Sequence, residues 1–150
     1  MSELALRLIA ENKKTRATFL DLGNCGLTEV PDEIGELVWL EGLSFASHWW
    51  DDEEQYNTQN SAAANNITIL CSDFYQLKNL KKLWLNCDHY NKKFDLVDLN
   101  PLVGLSSLQM LSIAKTQVSN LSPLASLSNL QKLDVSYTPV SSTQLSKYIR

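Results

Sequence analysis

His48, Asp51, Cys87, Asp88 and His89 are the residues whose side chains could hold a metal or carry out nucleophilic chemistry. Imidazole, thiolate and carboxylate are competent zinc ligands, and a Cys/His pair can activate a sulfur nucleophile. Their spacing argues against both. No C-x-x-C or H-x₃-H arrangement is present, the five residues sit in long interruptions of the chain, and nothing supplies an oxyanion hole or a third orienting group. No metal, cofactor or catalytic site is therefore expected. The phosphate-cradling pattern G-x-x-x-x-G-K-[ST] is also absent.

Recognition is the chemistry that the remaining residues suggest. Trp49 and Trp50 stand beside Asp51, Asp52, Glu53 and Glu54. Rings can anchor a partner while carboxylates steer a basic one; alternatively, one tryptophan plugs the rim of a core and the carboxylates are solvated. The chain has 13 basic and 17 acidic residues, a net charge of −4, so it lacks the broad positive field that nucleic-acid binders use. Lys82, Lys115 and Lys132 are too few and too mixed with Asp21 and Asp134 to track phosphates. No window approaches the roughly 18 apolar residues of a membrane span. The start, Met1-Ser2-Glu3-Leu4, does not read as a signal peptide. Cys25, Cys71 and Cys87 are an odd set without a pairing pattern, which favours a cytoplasmic home with free thiols.

A repeat must position these residues. Leu108, Leu111, Ile113, Val118, Leu121, Leu124 and Leu127 set a pattern that Leu130, Leu133, Val135 and Val140 restart 22 residues later. Units also open at Ala17, Leu40 and Leu80, giving five in all. The L-x-x-L-x-L segment is a short strand whose side chains alternate between two faces. The later leucines lie on a looser return arc. One coil cannot bury its own apolar face, but stacked coils build a continuous core and a parallel sheet. The ninth position of each coil reads Cys25, His48 or Asn65, Asp88, Thr116 and Thr138.

Leu27-Thr28-Glu29-Val30-Pro31-Asp32-Glu33-Ile34 resembles the L-x-x-L-P-x-x-L turn of bacterial leucine-rich repeats. Val118-Ser119-Asn120-Leu121-Ser122-Pro123-Leu124 and Leu99-Asn100-Pro101-Leu102 resemble the 22-residue internalin-like variety, and Leu4 to Leu22 resembles the N-terminal lead-in of bacterial repeat proteins, including repeat domains attached to Roco-type GTPases. The resemblance spans about 130 residues. It implies an α/β leucine-rich-repeat solenoid of about five coils with a parallel concave sheet. It implies architecture more than chemistry.

The expected organisation is one domain. Residues 1–16 form an N-terminal cap helix, with Ser2 at its start and Leu4, Ala5, Leu8 and Ile9 as its apolar stripe; residues 17–140 hold the repeats, and 141–150 form a short C-terminal cap helix that includes Leu145, Tyr148 and Ile149. Insertions interrupt the period near 46–66 and 86–95. Both leave just after a strand and are expected side by side at one rim, with the Asn/Ser/Ala-rich stretch from Asn57 to Asn66 mobile. The outward strand positions include Phe19, Asp21, Lys82, Trp84, Asn86, Met110, Ser112, Lys115, Asp134 and Tyr137. Trp84 stands out as either an exposed anchor or a ring covered by the adjacent insertion. The expected activity is non-enzymatic binding of another protein through Trp84, Trp49, Trp50, Asn86, Met110, Ser112, Lys115, Asp134 and Tyr137. A regulatory fragment of a Roco-like protein and a small inhibitor or immunity-type protein are the alternatives; oligomeric state is not legible.

Overall fold

The computed structural model describes residues 2–87 and 92–145. The chain opens with helix α1, Glu3–Thr15. The Ser2 hydroxyl accepts the Ala5 N–H at 3.1 Å and starts the helix, while Arg16 at φ 55 ends it. Ala5 and Ile9 are buried, with Leu4 and Leu8 packed beside them, so the helix lids the first coil. Asn12 locks this lid in place. Its amide accepts from the Trp39 indole at 2.7 Å and donates to the Ala17 carbonyl at 3.1 Å.

Each coil then contributes one three-residue strand: β1 Phe19–Asp21, β2 Gly42–Ser44, β5 Lys82–Trp84, β6 Met110–Ser112 and β7 Lys132–Asp134. They form one parallel sheet in the order β1-β2-β5-β6-β7. The register aligns Leu20, Leu43, Leu83, Leu111 and Leu133, as the repeat requires. The return arcs are 3₁₀ turns at Asp32–Glu36, Ser72–Gln76, Asn100–Leu102 and Ser122–Leu124. Pro101 and Pro123 sit in the first turn of the last two, where a missing N–H costs nothing. The leucines of strand and arc meet in a continuous core, which thins at the last coil: Leu111, Ile113 and Val118 are fully buried, whereas Leu133, Val135 and Val140 are partly exposed. A second helix, α2, spans Ser142–Leu145. The rest of the expected C-terminal cap, with Tyr148 and Ile149, lies outside the described residues.

Where a coil turns off its strand, the backbone enters the left-handed region. Asn24, Lys115 and Tyr137 hold φ of 48, 56 and 58 at equivalent places in coils one, four and five. The corresponding residues of coils two and three are Ser47 and Cys87, and both insertions leave there.

The first insertion departs from expectation. It folds into an antiparallel hairpin, β3 His48–Asp51 and β4 Glu54–Asn57, which lies over the concave sheet rather than at its rim. The following stretch, expected to be mobile, is tied down by hydrogen bonds. The Asp21 carboxylate accepts from the Thr58 hydroxyl at 2.8 Å and the Gln59 N–H at 3.1 Å, and the Asn60 amide donates to the carbonyls of Asp21 and Gly23. Gly23 is required there, because a Cβ would collide with the Ala46 carbonyl and with Thr58. Asn65, not His48, fills the ninth position of coil two. From the second insertion, Phe94 is buried and bridges to Thr116.

Candidate functional site

The hairpin divides the concave sheet. Because strand side chains alternate, Trp49, Asp51, Glu54 and Tyr56 face the sheet, while His48, Trp50, Gln55 and Asn57 face away. Trp49 is 5% exposed and Trp84 2%. Their ring centroids lie 6.1 Å apart, and Phe19 meets Trp49 at 5.6 Å and Trp84 at 6.3 Å, offset geometries that favour aromatic pairs. The Trp84 indole donates to the Trp50 carbonyl at 3.1 Å and the Asn86 amide to the His48 carbonyl at 3.3 Å. Two side chains of the sheet thus satisfy the outward carbonyls of β3.

These contacts decide for the covered alternative at Trp84 and the plug at Trp49, and they correct the expected exposure of Asn86 and Ser112. Trp84 and Trp49 form the plug between hairpin and sheet. Asn86 is buried beneath β3, and Ser112 is buried within the sheet. Alternation did point Trp84 away from the leucine core, but the hairpin covers it.

The hairpin tip reaches two strands. Asp51 pairs with Lys82 at 2.6 Å, and Asp52 with Lys132 at 2.9 Å. The hydrogen bond that Lys82 donates to Asp51 raises the ammonium pKa above its ordinary value, and the hydrogen bond and charge of Lys132 lower that of the Asp52 carboxyl. Between these ties the tip spans β6 and leaves a groove of about 370 Å³, lined by Trp50, Met110, Asp134, Gln109 and Gln131 with the two ion pairs at its ends. Trp50 is 57% exposed. Tyr137, 73% exposed, stands past the end of β7 with the Lys115 ammonium 5.7 Å from its ring centre.

Of the nine positions singled out from sequence, Trp50, Met110, Lys115, Asp134 and Tyr137 stay on accessible surface. Sequence reasoning missed Lys132 as a clamp, Asp52 as its partner and the two groove-lining glutamines. Only an acidic turn in a run of alternating residues could have pointed to the clamp. Of the possible metal ligands, Asp88 and His89 lie outside the described residues. Among the described residues, no three His, Cys, Asp or Glu side chains gather to hold an ion, and no helix is long and apolar enough to cross a membrane.

Cys25 and Cys71 are buried thiols, each pushed up from 9.0 to about 11, chiefly by burial and secondarily by nearby aspartates. Near pH 8 their thiolate fraction should be about a hundredfold below that of an ordinary thiol. A thiol reagent is expected to label them only after denaturation; rapid labelling of either in the native protein would contradict this burial. Because the fold holds these protons more tightly than the unfolded chain, it gains stability from them below pH 9. That gain should be lost as pH rises from 9.0 toward 11.

No protein-family model matches the chain, and no curated protein does. Solved structures do share its fold. The internalin inlF of Listeria monocytogenes is 23% identical over 89% of this chain and 32% of its own, with a TM-score of 0.62. Internalin C2 of the same organism is 23% identical over 94% of this chain and 67% of its own, with a TM-score of 0.52. A leucine-rich-repeat protein of Leptospira interrogans is 20% identical over 81% of this chain and 31% of its own, with a TM-score of 0.53. The chain spans about a third of the length of the first and third of these structures. The likeness establishes an internalin-like leucine-rich-repeat fold.

Proposed function

We propose that this chain is a non-enzymatic interaction module whose partner protein seats on the C-terminal half of the concave sheet. The observation that carries the reading is the divided concave face. The hairpin partly covers its N-terminal half and leaves over β6 and β7 a groove flanked by Trp50 and Met110. Asp134 adds a carboxylate, and Gln109 and Gln131 add amides, at fixed spacing, and such a rigid scaffold binds with little ordering cost. Large exposed rings beside a groove are the residues that dominate binding energy at interfaces.

Tyr137 adds a second line of support. A tyrosine in the left-handed region costs about 1–2 kcal/mol, and this one is exposed. The turn itself belongs to the repeat, since Asn24 and Lys115 share it, but coil five sets a large exposed ring there, next to the groove-lining strand β7. Buried thiols at Cys25 and Cys71 suit a reducing compartment, and we assign the module to the cytoplasm.

The test is capture from the native host, identification of the bound protein, and titration of that protein against variants. Trp50→Ala and Tyr137→Gly are each expected to weaken binding at least tenfold. Tyr137→Gly should leave the unfolding free energy unchanged or raise it by up to about 1 kcal/mol, because glycine relieves the strain. Equal affinity of both variants and wild type would remove the groove from consideration. A large loss of stability in Tyr137→Gly would show that the ring has a structural role instead.

A further inference from the structure

The two edges of the hairpin are unlike. A two-residue turn joins Asp51 to Glu54, so Asp51/Glu54 and Trp49/Tyr56 are the pairs that exchange backbone hydrogen bonds. The Thr58 N–H, bonded to the Ser47 carbonyl at 2.9 Å, continues that alternation. The intervening residues direct their backbone groups outward. On β3 these are His48 and Trp50, whose carbonyls are met by Asn86 and Trp84. On β4 they are Gln55 and Asn57. Among the described residues only the Gln59 side-chain amide approaches this edge, at 3.4 Å from the Asn57 carbonyl. All four residues of β4 are exposed. The Gln55 N–H and C=O and the Asn57 N–H are a short template for another strand.

Beside this edge, on the inner face, lies a pocket of about 370 Å³. Phe19, Trp49, Tyr56 and Trp84 line it, and Tyr56 stacks on Trp49 with centroids 6.1 Å apart. The two ion pairs at its rim, Asp51–Lys82 and Glu41–Lys81, are internally neutralised. The pocket therefore suits an apolar side chain. Two residues along the same face, Glu54 is exposed, and Glu53 at the turn pairs with no cation among the described residues.

We infer that the β4 edge takes an extended segment of a partner protein as an added antiparallel strand, placing an apolar side chain in the aromatic pocket and a basic one against Glu54 and Glu53. Strand addition of this kind draws affinity from main-chain bonds and specificity from alternate side-chain pockets. The register fixes the sequence. A residue opposite Tyr56 precedes by two the residue opposite Glu54, so the pattern is apolar-x-basic. This surface lies on the opposite side of the hairpin from the groove over β6 and β7. It rests on the same reading of the chain as a protein binder but shares none of that groove's exposed anchors.

The probe is acetyl-Thr-Leu-Thr-Arg-Thr-amide, titrated into the intact protein while tryptophan emission is followed. The peptide has no tryptophan, and Trp49 and Trp84 border the pocket. Saturable binding is expected. Methylating the backbone nitrogen of the central Thr, which would face the Gln55 carbonyl, should weaken it at least tenfold. Gln55→Pro should do the same, because it removes an outward N–H without touching the bonds between β3 and β4. Tyr75→Ala, on an exposed return arc, should change nothing. Absence of binding, or equal binding of the methylated peptide, would overturn the inference. Either result would leave capture of a partner at the groove untouched, since that capture is read through Trp50 and Tyr137.

Discussion

Replacing Asn65 by alanine is expected to lower the unfolding free energy by about 3–5 kcal/mol, a large share of what holds a domain of this size together. The residue sits where the insertion rejoins the solenoid, and its amide is almost wholly buried. Its oxygen accepts from the Leu27 N–H at 2.8 Å and the Cys25 N–H at 3.2 Å. Its nitrogen donates to the carbonyls of Leu22 and Phe45, each at 2.9 Å. One side chain thus satisfies four backbone groups from two successive coils. Alanine would strand all four, and each buried group left without a partner costs about 1–3 kcal/mol before water or backbone adjustment recovers part of it. Asn65→Asp is the sharper probe. It keeps the acceptor for the two N–H groups but loses both donors and sets a carboxylate against two carbonyl oxygens. Both variants should shift the denaturation midpoint strongly without changing the helix signal of the folded state. A loss below about 1 kcal/mol in Asn65→Ala would mean that water replaces the amide, and the capping argument would fail.

The repeat was legible because its cause is periodic. Leucines at fixed offsets state which side chains share a face, and Leu20, Leu43, Leu83, Leu111 and Leu133 fall into one row as that logic requires. The ninth position of coil two was ambiguous for the same reason. An insertion of unknown path erases the count, and His48 and Asn65 fit equally until the path is known. The hairpin escaped notice because its turn carries Asp52 and Glu53, with Asp52 at φ 56, where a glycine or asparagine would have announced it. The polar run from Asn57 to Asn66 looked mobile because composition shows a lack of apolar anchors. It does not show that the Asp21 carboxylate waits on the adjacent coil to bind Thr58 and Gln59. Alternation gave the direction of Trp84 but not its cover, since the period within a strand says nothing about what another segment lays upon it.

Trp84→Ala tests that cover. The ring is buried against Trp49 and Phe19, and its N–H holds the hairpin through the Trp50 carbonyl. Truncation of a buried tryptophan typically costs about 3–5 kcal/mol through lost transfer energy and the cavity left behind. Here part of that loss should be local. The leucine core lies on the other face of the sheet and keeps its contacts, so the hairpin should come away before the solenoid unfolds. Its remaining ties at the tip, Asp51–Lys82 and Asp52–Lys132, are solvent-screened ion pairs that add little. The expected result is a native-like helix and sheet signal, a red shift in the remaining tryptophan emission as Trp49 meets water, and new proteolytic cleavage between residues 48 and 58. Trp84→Phe should retain most of the packing and lose only the indole hydrogen bond, about 1 kcal/mol, without the emission shift. The two variants separate a hairpin glued by ring packing from one hung on a single hydrogen bond. If Trp84→Ala instead left Trp49 shielded and the hairpin resistant to protease, some other contact would be holding the insertion on the sheet. If it abolished folding outright, the hairpin would be an integral part of the solenoid rather than a layer added to it.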